Sequence, residues 1–73
     1  MPYFGNAEID LEKVLALGRY FSITQGDDMS QLLLLPLSET YTASQVFHII
    51  QLVANLNPDE CGLIDNKLRM WWD

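Results

Sequence analysis

Basic residues are scarce in this chain. Four lysines and arginines stand against ten acids, giving a formal net charge of -6 over 73 residues. That imbalance opposes nonspecific attraction to nucleic-acid phosphates or anionic lipid and favours a partner with a basic surface. A single cysteine, Cys61, excludes an internal disulfide, so a reducing compartment such as the cytoplasm is the easier setting. A single histidine, His48, has no acid three or four residues away and no cysteine near it in sequence; neither a triad nor a metal cluster is suggested. Also missing are a phosphate-binding glycine loop, a G-x-S-x-G elbow and a dinucleotide fingerprint. The opening residues, MPYFGNAEID, show neither a basic n-region nor an apolar h-region.

Apolar residues, at 49% of the chain, are plentiful. That fraction excludes compositional disorder. The length fits one domain over residues 1–73, and a chain this short buries only about 60% of its unfolded surface, so its core must be efficient or completed by a partner.

The strongest local signal is Thr42 to Leu56, TASQVFHIIQLVANL. Thr42 followed by Gln45 forms a capping box, with Tyr41 and Val46 placed for a hydrophobic staple. At about 100 degrees per residue, Ser44, His48, Gln51 and Asn55 share a narrow polar stripe, and Val46, Phe47, Ile49, Ile50, Leu52, Val53 and Leu56 fill most of the rest. No charge occurs between Glu39 and Asp59. These features predict a helix over 43–56 enclosed on most sides. The uncharged run is long enough to raise the question of a membrane span, but the polar stripe argues against one.

Before it, Asn6 is a candidate cap for a helix over about 7–17, with Leu11, Val14, Leu15, Gly18 and Phe21 on one face and acids near its start. If Gly18 ends that helix, RYFSIT and QLLLLPL read as a β-hairpin at about 19–24 and 31–37 around the QGDDMS loop. If the helix continues, the same stretch becomes helical and the chain an all-α small four-helix bundle. After it, Asn57, Pro58 and Glu60 resemble a helix start, and Cys61, Ile64, Leu68 and Trp71 recur at helical spacing, predicting a third helix over 58–71; the rival reading, two short strands around Asp65-Asn66-Lys67, explains fewer residues. The expected fold is α+β, three helices with a central hairpin.

No residue cluster suggests catalysis, a cofactor or a metal. Asp27 and Asp28 follow Gly26, unlike the alternating acids of a calcium loop, and read as a solvated turn. Cys61 reads first as a small core residue. An enzyme alternative rests on Pro2, whose amine, once Met1 is removed, resembles the proline base of small tautomerases. That family has a strand starting at the proline and arginines in its pocket, whereas this chain is expected to enter a helix by Ala7 and has only Arg19 and Arg69.

The C-terminal LRMWWD is the most partner-like stretch, because Trp, Arg and Met are enriched at interface centres. The sequence therefore predicts a small acidic interaction module, an adaptor or an inhibitor. It would dock on a basic surface of a larger protein or nucleoprotein through Asp27, Asp28, Arg69, Met70, Trp71 and Trp72, in its most specific form as a nucleic-acid mimic of the phage-encoded type. The other reading is a self-associating subunit, a homodimer built from its apolar excess. Neither reading includes direct nucleic-acid or membrane binding.

Overall fold

Strand β6 (Lys67–Trp71) holds the middle of the molecule, bonded on one side to β4 (Gln31–Pro36) and on the other to β5 (Glu60–Ile64). The computed structural model describes residues 3–26 and 30–73. The remaining elements are β1 (Tyr3–Phe4), β2 (Ala7–Glu8), α1 (Leu11–Leu17), β3 (Phe21–Gln25) and α2 (Ala43–Leu56). Two antiparallel sheets result, a β1–β2 ribbon and a four-stranded sheet in the order β3-β4-β6-β5. The described residues thus contain two helices and six strands. The fold is α+β, but there is no third helix over 58–71, and the all-α bundle is excluded.

The alternation of side chains explains that correction. From Lys67 to Trp72 the chain reads polar, apolar, polar, apolar, then two tryptophans; Met70 and Trp72 are buried while Lys67, Arg69 and Trp71 are partly exposed. A period of two is a strand signal, and the spacing of Cys61, Ile64, Leu68 and Trp71 matched a helix only by skipping these intervening residues. The reversal is local and specific. Asp65 and Asn66 both have positive φ, 48° and 65°, the arrangement a two-residue hairpin turn of type I′ needs and one that Asp and Asn tolerate. Asn57, read as the cap of a third helix, instead ends α2 in the left-handed conformation with φ 52°.

The same alternation places the leucine run in β4. Leu32 and Leu34 are buried, whereas Leu33 and Leu35 lie on the opposite face. Cross-strand register aligns Ile23, Leu34, Leu68 and Leu63 on one face. The core contains Ile9, Leu17, Phe21, Leu32, Leu34, Leu52, Leu56, Met70 and Trp72. Helix α1 begins at Leu11, later than expected, because Ala7–Glu8 pairs with Tyr3–Phe4. Its cap is Asp10 rather than Asn6: the carboxylate accepts from the Glu12 N–H at 3.0 Å and from Lys13 Nζ at 2.8 Å. The Lys13 hydrogen bond is the main reason the Asp10 carboxyl titrates below its ordinary range. A carboxylate held low stabilises the fold above its ordinary pKa, and that support disappears as pH falls through the folded value.

Trp72 closes the core from the C-terminal side. It is 1% exposed, stacks on Phe4 with ring centres 5.5 Å apart, and donates its indole N–H to the Leu56 carbonyl at the end of α2, 2.9 Å away. The chain beside it is pinned as well, since Trp72 N–H bonds the Ser30 carbonyl and Asn6 N–H bonds the Asp73 carbonyl. This close approach requires Gly5: its φ is 57°, and a Cβ there would lie 2.4 Å from the Asp73 backbone.

Trp72→Ala is expected to cost about 3–5 kcal/mol, a large share of a small domain's stability. Trp71→Ala should cost well under half of that, as its side chain lies on the open sheet face. Urea unfolding of the two variants checks this, and equal losses would contradict the burial order.

Candidate functional site

Helix α2 lies on the sheet with only one side covered. Its capping box is present, Thr42 Oγ1 accepting from Gln45 N–H at 3.1 Å and Gln45 Oε1 accepting from Thr42 N–H at 2.9 Å. Leu52 and Leu56 are buried toward the core, and Ile49 and Val53 pack beside them. The opposite side is open. Phe47 is 63% exposed and Ile50 58%, with Val46 next to them on the helix. The expectation of an enclosed helix is thereby corrected: α2 is apolar on two opposite sides, and the monomer buries one.

His48 sits on the flank of α2 and takes part in an aromatic cluster. Tyr20 Oη and His48 Nδ1 are 2.7 Å apart with their rings edge to face, and Tyr41 Oη donates to the Tyr20 carbonyl. These contacts join the segment after α1 to the start of α2. They occupy the imidazole in packing. Helix α1 also leaves Leu11 and Leu15 exposed on its outer side.

The face of the sheet away from the helices carries Thr24, Leu33, Arg69 and Gly62 in one cross-strand row. Arg69 spans it, donating from Nε to Gln31 Oε1 at 2.8 Å and from Nη1 to Glu60 Oε1 at 3.2 Å. Ionic contacts this exposed contribute little stability, but they fix the side chain across three strands. Beyond β6, strand β5 overhangs the helical layer. Every residue of it is exposed, Leu63 most of all at 83%.

The residues singled out from sequence are scattered by this fold. Met70 and Trp72 are core and present nothing to a partner, Arg69 and Trp71 lie partly buried on the outer sheet face, and Asp27 and Asp28 lie outside the described residues, as does Pro2. Sequence reasoning missed the open positions Val46, Phe47 and Ile50 as a surface, because it assigned them to the core. A signal for them existed: with Ala43 and Ala54 they fall opposite Leu52 and Leu56, so one sheet cannot cover both sets.

No group of three or more His, Cys, Asp and Glu side chains suited to a metal ion occurs among the described residues. Nor, among them, is any helix long and apolar enough to cross a membrane. Cys61 is exposed on the overhanging strand rather than buried in a core. Local desolvation of its sulfur nonetheless pushes the thiol pKa up from the ordinary value, so the neutral thiol prevails at pH 7.

Alkylation of Cys61 by iodoacetamide should therefore be slower at pH 7 than that of a free-cysteine peptide and should rise with pH to a midpoint above the peptide's. A midpoint below it would contradict the assigned environment. No protein-family model, curated protein or solved structure matches the chain.

Proposed function

We propose that this chain is a small acidic protein-interaction module that binds through the outer side of α2 and does not act by catalysis. The observation that carries the reading is the pair Phe47 and Ile50, 63% and 58% exposed on a helix with no charged residue. Aromatic and aliphatic side chains at i and i+3 are the anchors of a helix that lays one face into an apolar groove. Burying them recovers apolar surface at about 25 cal/mol per Å² before the costs of association.

Charge supports the choice of partner. The stripe is bracketed along the chain by exposed Glu39 on one side and exposed Asp59 and Glu60 on the other, within a chain of net charge -6. A groove rimmed by lysine and arginine on a larger protein matches that pattern, and it would gain association rate from long-range attraction. The nucleic-acid-mimicking version receives less support, since it makes no use of the apolar stripe and since two of the carboxylates, Asp10 and Glu60, are already held by Lys13 and Arg69. A lone cysteine remains compatible with a cytoplasmic setting.

A photo-crosslinking residue placed at Phe47 in the native host, with Thr24 on the open sheet face as control, tests the reading. The expected result is a covalent adduct with a basic protein at position 47 and none at 24, weakened by Ile50→Ser and by added salt. No adduct at 47, or adducts only at 24, would contradict it.

A further inference from the structure

The hydrogen-bond phase of the sheet identifies a second surface, independent of the α2 reading. Leu37 N–H bonds the Tyr20 carbonyl and Gly26 N–H bonds the Gln31 carbonyl, so residues 31, 33 and 35 of β4 direct their backbone groups to β3. Residues 30, 32 and 34 then face β6, in agreement with the Trp72 N–H bond to the Ser30 carbonyl. By the same alternation Lys67, Arg69 and Trp71 face β5, and their partners Ile64, Gly62 and Glu60 face back. On β5 that leaves Cys61 and Leu63, whose N–H and C=O groups point away from the sheet along its free edge.

From this edge we infer that β5 pairs antiparallel with β5 of a second copy of the chain, joining two four-stranded sheets into one across a twofold axis. Three observations favour a second copy as the occupant. Charge is the first. Each copy carries -6, so two copies repel except where both are uncharged, and Cys61 to Ile64 is such a stretch, bounded by Glu60, which is already paired with Arg69, and by Asp65.

The second is the apolar surface that only this edge leaves uncovered: Leu63 is 83% exposed and Ile64 51%. At the other edge, β3, Phe21 is buried and Ile23 packs against the core, so an added strand there gains little. An apolar, unpaired edge is a template for strand addition unless lysine, proline or a bulge blocks it; neither lysine nor proline lies within β5, and the doubled pairing of Asp59 and Glu60 with Trp71 touches only its first residue.

The third is self-complementarity. An axis through Gly62 would set Asp59 opposite Asp65 of the second copy, and an axis through Cys61 would set Leu63 opposite Asp59. An axis through Leu63 opposes leucine to leucine and Gly62 to Ile64 of the second copy. Gly62 has the space, because a Cβ there would meet nothing within 4 Å. Leu63 then exchanges both backbone bonds with its counterpart, with Cα atoms about 5.5 Å apart. A single strand pair is small for an interface, so the dimer exchanges with monomer on dilution.

Sedimentation velocity over a dilution series to millimolar protein tests this with wild type, Leu63→Lys and Phe47→Ser. Leu63→Lys opposes two ammonium groups at the axis while lowering the net negative charge, so general repulsion cannot explain a loss of association. The expected result is a wild-type mass rising toward twice the 8.4 kDa chain, the single-chain mass for Leu63→Lys at every concentration, and the wild-type curve for Phe47→Ser. Amide exchange on wild type should show Cys61 and Leu63 N–H slowing as concentration rises. A wild-type monomer throughout, a Leu63→Lys dimer, or unchanged exchange at those two amides would each overturn the inference. Failure of the α2 reading alone would leave these results unaffected.

Discussion

The contact on which the rest depends is the seating of Trp72 beneath α2, with its indole N–H on the Leu56 carbonyl. It couples the last strand in the sequence to the end of the longest helix. Trp72 seals the same core that Met70 of β6 and Leu32 and Leu34 of β4 line. A buried indole leaves its N–H costly unless it is bonded. The satisfied bond therefore specifies one seating of the ring among several that would bury equal area.

That centre explains what is left outside. A single layer of two helices covers β3, β4 and β6 and stops short of β5, while the sheet can take only one side of α2. A chain of 73 residues with 49% apolar content has more oily surface than its own core encloses. Part of the surplus lies on α1 at Leu11 and Leu15 and on β4 at Leu35, but the outer side of α2 and the β5 edge carry it in stretches free of charge, and contiguous uncovered apolar surface of this kind usually marks contact with another molecule.

How far the sequence could be read follows from which residues spoke locally. Thr42 and Gln45 make their own bonds, so the helix they start was legible, and the aromatic and β-branched run at Phe21 to Thr24 signalled a strand. In the C-terminal third the hairpin around Asp65, Asn66 and Lys67 stood only as the rival to a helix. Pro58 and Asn57 imitate a helix start, and the left-handed turn at Asp65 and Asn66 depends on two residues of weak individual preference. Alternation from Lys67 to Trp72 was the correct signal and was outweighed by a coincidental helical spacing. The open face of α2 was hidden for a different reason. Periodicity tells which residues are apolar, and only the number of covering elements tells which apolar residues are covered.

The most direct measurement of this arrangement is the pattern of interproton contacts in the C-terminal third, read by NMR in solution. Cys61 with Met70 and Leu63 with Leu68 are the pairs whose backbones do not bond each other, so their α-protons should be in close contact across the hairpin. Those two cross-strand contacts, together with contacts from the Trp72 ring to Phe4 and Leu56, are the result the account requires. Contacts between residues three apart running from Pro58 to Trp71, the mark of a helix, would contradict it.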